Sequence, residues 1–379
     1  MAGFLTAWNL WVYGVIVMGA IVFVVPTDLA YMLNGRADWL PASKIATLAI
    51  TGGIVAAIAL VAAHGLDISK WLHNAGSVLV MIGYAVLLAL PFWALWRGRI
   101  ASYDAFPWQP PEANWYTLAI FGQMCAGALS GFEYVAILAG ECHSAARTIG
   151  RSVAISAPII AVMFILGTSS VLTFVGSQPI NVIGPIPQTI RLALGTTGRA
   201  AMAAPFAIFL VMARNIAAAS LIFTGLTRLP MTAGWDRMVP RWFAQLHPRR
   251  RTPVNSIVFV ALLVTALILL SMLGVREQEA NQTLAEASVA LYAIAYIGLF
   301  ALPLLGRAAL RARLPLWVRA VSAAGLVSSM VSLFIAVYPI VDVVSRGAFA
   351  AKICSVVAVS NGLGILIYRA GRGSTSSAS

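Results

Sequence analysis

The chain has 379 residues, of which 60% are hydrophobic and only 10% are charged, and its mean hydropathy is +0.89. Soluble domains carry roughly 25% charged residues, so this composition excludes a soluble globular protein, and the high hydrophobicity excludes a disordered one. The class that remains is a multi-span helical membrane protein. The net charge of +13 would suggest nucleic acid in a soluble chain, but in a membrane protein it is typical of basic loops sorted to one side.

Ten apolar stretches are each long enough to cross a bilayer as a helix, which needs about 20 residues. Because they are continuous apolar runs, they predict helices and not a barrel. The expected fold class is therefore all-α, a polytopic membrane protein with ten transmembrane helices. We expect one transmembrane domain over 1–370 and a disordered cytoplasmic tail over 371–379. The predicted spans are 6–32, 43–64, 74–96, 115–140, 152–176, 199–226, 253–274, 284–306, 316–341 and 347–368.

The basic residues between these spans are unevenly distributed. Fifteen lie in alternate loops and the tail, including the run 247–251, whereas eight lie in the opposite loops. The positive-inside rule predicts that the richer set and both termini are cytoplasmic, in the cell (inner) membrane. The opposite set includes the long loop 176–198, which we expect to be a lid or a packed cover, because long loops are seldom free coil.

Arg214 lies near the centre of the sixth predicted span, about 20 Å from either end at 1.5 Å per residue. A charge at this depth costs about 2.5–3.5 kcal/mol on insertion scales, so its presence indicates a specific role. Arg214 is either a fixed cation in a transport pathway or half of a buried structural pair.

Glu133 lies in the fourth predicted span beside two glycines and a serine, in the run from Gly127 to Tyr134. Glycine and serine weaken a helix, and a break at membrane depth is tolerated where it lines a cavity. Transporters hold substrates and ions at such breaks, and a buried carboxylate there can carry a proton. The alternative is close helix packing through small residues, with Glu133 paired to Arg214.

Other polar residues give weaker signals. Asp28 and Glu286 lie near predicted helix ends, where we expect solvated, interfacial roles. Asn215 is expected to point away from Arg214, since adjacent residues face different directions on a helix. Tyrosines 13, 292 and 296 are candidates to line a pathway, with packing or interfacial anchoring as the alternative.

No enzyme, metal or cofactor signature is present in the sequence. It has no H-E-x-x-H motif, Walker A loop or nucleophile elbow in a suitable context. Three cysteines and four histidines form neither a disulfide framework nor a zinc pattern. We therefore expect a protein that is not an enzyme and needs no cofactor.

Two segments resemble permeases of the amino acid–polyamine–organocation (APC) family. Residues 121–155, FGQMCAGALSGFEYVAILAGECHSAARTIGRSVAI, resemble the sixth family helix and the loop after it, with Ser130-Gly-Phe-Glu133 matching the core motif, although Ser144-Ala145 replaces the family's Asn-Pro. Residues 225–253 resemble the basic loop after family helix eight. Residues 65–76 give a weaker third match, to the loop before family helix five.

The resemblance implies a five-plus-five inverted-repeat transporter fold followed by two helices. It also sets a register in which the ten spans correspond to family helices three to twelve, so that helices one and two have no counterpart. Broken helix one supplies half of the family's substrate site. From this resemblance we expect either a mis-assigned start of the coding sequence or a true truncation.

The resulting hypothesis is a secondary active permease for an amino acid or related amine, proton-coupled or exchanging, working by alternating access. Its substrate site is predicted at Ser130, Gly131, Phe132, Glu133, Tyr134, Tyr292 and Tyr296, with Glu133 and Arg214 as coupling residues. The alternative is a non-transporting remnant that lacks half of the site. Expected partners are a small-molecule substrate and the lipid bilayer, with a homodimer left open and no nucleic acid.

Overall fold

The computed structural model of the chain describes residues 1–106, 110, 112–128, 131, 144–176, 178–232, 235, 241–306 and 314–376. Every regular element in these residues is helical, which confirms the all-α class. A 3-10 turn, Arg241–Ala244, lies between α10 and α11. The α-helices are α1 Ala2–Phe23, α2 Val25–Met32, α3 Trp39–Ala42, α4 Lys44–His64, α5 Leu66–Trp96, α6 Trp115–Ala128, α7 Ala145–Val175, α8 Pro185–Leu194, α9 Gly198–Ala201, α10 Ala204–Thr232, α11 Val254–Ser271, α12 Glu277–Leu305, α13 Leu316–Ile335 and α14 Arg346–Ser376.

Nine segments of the described chain are helical, long and apolar enough to cross a membrane, so the protein is a polytopic membrane protein. They coincide with nine of the ten predicted spans. The other prediction, 115–140, lies partly outside the described residues, and α6 covers its first half. The last helix, α14, continues to Ser376 and so extends into the segment that was predicted to be a disordered tail.

The first span consists of two helices, α1 and α2, that meet at Val24. Pro26 follows the junction, and its missing N–H removes one backbone hydrogen bond from the helix. The interruption lies in an apolar segment and separates the long α1 from the eight-residue α2, which carries Asp28.

Helix α1 lies at the centre of the main core, packed against α10, α11, α12 and α14. Its tryptophans bury their rings and satisfy their indole N–H groups with backbone carbonyls of neighbouring helices. Trp8 Nε1 donates to the carbonyl of Ser360 at 2.8 Å, and Trp11 Nε1 donates to that of Leu226 at 3.0 Å. A buried indole usually needs such a partner, so these bonds fix α1 against α14 and α10.

A second, smaller core joins α5, α8 and α10. Helices α5 and α10 pack closely at Gly76, where an added β-carbon would collide with that of Ala217. Leu87 of α5 and Ile208 of α10 are both buried in this cluster. The glycine therefore permits the close packing that brings α5 beside the middle of α10.

The loop predicted as a cover contains helix α8, which packs against α2, α5, α7 and α10. Its anchor is Arg191, whose Nε donates to the carbonyl of Tyr31 at 2.6 Å and whose Nη2 donates to that of Met32 at 2.8 Å. The last carbonyls of a helix have no intrahelical partner, so this arginine caps α2. Desolvation by burial lowers the pKa of Arg191 from its usual value. The segment is thus a packed cover over the end of the first span.

Candidate functional site

Helix α6 is described from Trp115 to Ala128, and its 14 residues span about 21 Å. Three residues beyond its end, Gly131 is not helical and has a φ of +99°, a conformation that favours glycine. The predicted site residues Ser130, Phe132, Glu133 and Tyr134 lie outside the described residues.

The backbone of Gly131 contacts one of the predicted tyrosines. Its N–H donates to the hydroxyl of Tyr292 on α12 at 3.3 Å. An open backbone N–H in an apolar span needs a partner, and a tyrosine hydroxyl can provide it while keeping its own proton to donate. The structure therefore brings together two of the predicted substrate-binding residues.

Tyr292 belongs to an aromatic row at the contact of α1 with α12. Ring centroids lie 4.6 Å apart for Tyr13 and Tyr292, and 4.5 Å apart for Tyr292 and Tyr296. Phe300 continues the row at 5.4 Å from Tyr296. Tyr13 and Tyr292 are buried, at 5% and 9% exposure. These tyrosines lie inside the bundle, so an interfacial anchoring role does not apply to them.

Arg214 of α10 belongs to a separate group of contacting residues, which come from α2, α5 and α10. It donates to Oδ1 of Asn215, at 3.2 Å from Nε and 2.8 Å from Nη2, and its guanidinium lies 5.5 Å from the ring centroid of Tyr84. Asn215 Nδ2 in turn donates to Oδ2 of Asp28 at 3.1 Å. The prediction that Asn215 points away from Arg214 is wrong, because the long arginine side chain folds back along the helix to reach its neighbour.

The prediction that Asp28 is solvated is also wrong. Its side chain has 0% exposure, and its Oδ1 has no hydrogen-bond partner among the described residues. The physical reason is the packing of α2 against α10, which supplies Asn215 as the hydrogen-bond donor to Asp28. Asp28 is close to the end of its helix, but it lies inside the protein.

The prediction that Glu286 is solvated is wrong as well, for a different reason. Helix α12 begins at Glu277, whereas the predicted span began at 284, so Glu286 lies more than two turns inside the helix. It is 3% exposed, and its Oε2 has no hydrogen-bond partner among the described residues. The extension was not predicted because the first residues of α12 are polar. One of them, Glu279, does not face water but pairs with Lys352 of α14 at 3.3 Å.

Two neighbours of Arg214 were not predicted from the sequence, namely Asp28, which is linked to it through Asn215, and the aromatic ring of Tyr84. Asp28 carried a usable signal, because a carboxylate two residues after Pro26 in an otherwise apolar span needs a buried partner. Tyr84 carried no such signal, since a tyrosine in a membrane span usually serves in packing. Within the described ranges, no group of three His, Cys, Asp or Glu is placed to hold a metal ion.

Comparison with known families decides the classification of this helical bundle. The model of the amino acid permease family matches residues 1–359. The chain belongs to the amino acid permease family. This agrees with the resemblance drawn from the motifs at 121–155 and 225–253.

Relatives of this chain are named as transporters. An uncharacterized transporter of Mycobacterium tuberculosis is 26% identical over 58% of this chain and 48% of its own length. One of Legionella pneumophila is 22% identical over 79% and 64%. The low-affinity putrescine importer of Escherichia coli is 26% identical over 55% and 46%. The chain thus spans about half the length of most of these relatives, and their names describe transporters rather than enzymes.

Proposed function

We propose that this chain is a secondary active permease of the inner membrane that moves an amino acid or a related amine by alternating access. The observation that carries the proposal is the contact of the non-helical Gly131 with Tyr292, inside a predicted membrane span. Backbone that leaves the helix at such depth is tolerated where it is buried in protein or lines a cavity, and transporters place their substrates there.

In the proposed site, residues 130–134 offer backbone carbonyls to the substrate ammonium group. Tyr292 holds the broken backbone open through Gly131, and Tyr296 extends the aromatic wall beside it. An aromatic wall suits a positively charged amine, because a cation is attracted to the ring face.

For coupling, we propose Glu133 as the group that carries a proton and Arg214 as a fixed cation in the membrane. Arg214 has its charge balanced through Asn215 by Asp28, which supports a fixed position in the bundle. This arrangement differs from a direct pair of Glu133 with Arg214. Proton-coupled uptake and exchange are both compatible with it.

The names of the relatives favour an amine-bearing substrate. One is a putrescine importer, and a chloroplastic cationic amino acid transporter of Arabidopsis thaliana is 27% identical over 38% of this chain and 24% of its own length. Both names specify molecules with a positively charged amino group. We therefore propose cationic amino acids and small amines as the first substrates to test.

The test is uptake of labelled amino acids and amines by purified chain in liposomes, with and without an inward proton gradient. We expect saturable uptake, and we expect Glu133→Gln to abolish its stimulation by the gradient. Glu112→Gln, which changes an exposed glutamate, is the matched control and leaves stimulation intact. A folded chain that takes up no amino acid or amine would instead support the non-transporting remnant.

A further inference from the structure

A cavity of about 300 Å³ lies outside the helix-break site, where the end of α2, helix α3, the loop after α7 and the start of α12 meet. Its polar lining comes from Thr27, Tyr31, Asp38, Asn181, Glu277 and Gln278. The rest of its wall is alanine, proline and isoleucine. The charged residues that line it are both acidic, in a chain whose net charge is +13.

The walls of this cavity are held by hydrogen bonds that leave its carboxylates unused. Asn181 Nδ2 donates to the hydroxyl of Tyr31 at 3.3 Å, and Asn181 Oδ1 accepts from the backbone N–H groups of Ile183 and Gly184 at 3.0 and 3.2 Å. The loop is thereby fixed against α2. In the part of the chain that the structure describes, neither Asp38 nor Glu277 forms a salt bridge or a side-chain hydrogen bond.

Among the described residues, no nearby cation forms a salt bridge with these carboxylates. Arg36, Lys44 and Arg276 are exposed and close in sequence to lining residues, but they do not line the cavity. Arg191 directs its guanidinium to the carbonyls at the end of α2. Buried Asp28, adjacent to Thr27, adds a third carboxylate to this end of the bundle, with Oδ1 unpartnered among the described residues.

We propose that this cavity binds a compact organic cation with two ammonium groups, at a site separate from the helix break. Asp38 and Glu277 come from separate elements, the turn before α3 and the start of α12, so each can accept hydrogen bonds from a different ammonium group. Tyr31 presents an aromatic wall, and the alanine, proline and isoleucine side chains suit the methylene chain between the charges.

The dimensions favour an organic cation over a metal ion. Calcium needs six to eight oxygen ligands at 2.3–2.6 Å, which requires a tight oxygen cage. A cavity of about 300 Å³ with a partly apolar wall is instead of the size range that small organic ligands occupy. The site would concentrate cationic amines at this end of the bundle, independently of whether they are then transported.

The test is equilibrium dialysis of the full chain in detergent with labelled 1,4-diaminobutane, a four-carbon dication. We expect Asp38→Asn/Glu277→Gln to weaken binding by at least about tenfold, since each carboxylate loses a charge-assisted hydrogen bond. The control Asp104→Asn/Glu112→Gln removes two exposed acids elsewhere and leaves binding unchanged. Asp38→Glu/Glu277→Asp keeps both charges and retains binding, which shows that the loss is not a folding defect.

The competitors 1,4-butanediol and succinate test the ligand class. Both keep the four-carbon chain, but butanediol is uncharged and succinate carries two negative charges. We expect neither to displace the diamine. Equal displacement by butanediol, stronger binding of calcium chloride than of the diamine, or unchanged binding in Asp38→Asn/Glu277→Gln would overturn the inference. Binding lost in Tyr292→Phe but kept in the cavity variant would place the diamine at the helix break, leaving the transport proposal intact. Diamine binding in the cavity without any uptake would support this inference and contradict the transport proposal.

Discussion

Asn215 connects a half-buried arginine to a buried carboxylate that the arginine does not touch directly. It accepts hydrogen bonds from Arg214 and donates one to Asp28, so a single amide contacts an arginine on its own helix and a carboxylate on α2. A buried charge without a partner is costly, which explains why a polar residue is needed between them. The three residues form one unit, and their energies are expected to be coupled.

We predict that Asn215→Ala destabilises the protein by about 1–3 kcal/mol, because it leaves the fully buried Asp28 without its hydrogen-bond donor. The measurement is the thermal unfolding midpoint in detergent for Asn215→Ala, Asp28→Ala and the double variant. The double variant should lose less stability than the two single losses added together, since both halves of the bond are then gone. Additive losses would show that the contact carries no energy.

At the scale of residues, the burial of these carboxylates could not be predicted from the sequence. Hydropathy identified Arg214 as an intramembrane charge, because its distance from both ends of the span can be counted. Hydropathy misplaced Asp28 and Glu286, because the burial of Asp28 depends on the packing of α10 against α2 and that of Glu286 on the early start of α12. Which residue a charge pairs with is a property of packing and not of local pattern.

At the scale of elements, helix α8 stabilises α2 by a contact that links the loop after α7 to the first span. Arg191 is 9% exposed and donates two hydrogen bonds to the terminal carbonyls of α2. This arrangement also fixes Tyr31, which lines the proposed amine cavity. The cover therefore positions one wall of that cavity as well as the end of the span.

We predict that Arg191→Gln loosens α8 from α2, since a neutral amide cannot replace two hydrogen bonds from a guanidinium. Hydrogen–deuterium exchange over 185–194 and 29–32 should rise by about tenfold or more, as the loss of a charge-assisted bond implies. Arg199→Gln, an exposed arginine on the next short helix, is the control and should leave both segments unchanged. Equal protection in Arg191→Gln would contradict the capping role.

At the scale of the whole molecule, the helical membrane class and nine of the ten predicted spans agree with the described residues, since apolar runs of about 20 residues have few alternatives in a membrane. Helix ends were less predictable: α12 begins seven residues before its predicted span, at Glu277. For the candidate site, the sequence indicated both Gly131 and Tyr292, but their contact joins residues 161 positions apart and required the fold.

The distribution of Lys and Arg predicts that both termini are cytoplasmic. Fluorescent protein fused after Ser379 should therefore fluoresce, and alkaline phosphatase at the same position should be inactive. Phosphatase fused after Thr196, in the opposite loop beyond α8, should be active. The reverse pattern would mean that the basic loops face the outside and that the proposed orientation is inverted.

The central proposal is a substrate site at the break after α6, and the KM of uptake tests it most directly. Initial uptake rates in liposomes should be compared for the wild-type chain, Tyr292→Phe and Tyr84→Phe, using the best substrate of the amino acid and amine panel. Tyr292→Phe removes the hydroxyl that accepts the Gly131 hydrogen bond, so KM should rise by about tenfold. Tyr84→Phe, whose ring faces Arg214, should leave KM unchanged. An unchanged KM in Tyr292→Phe would contradict the placement of the substrate at this break.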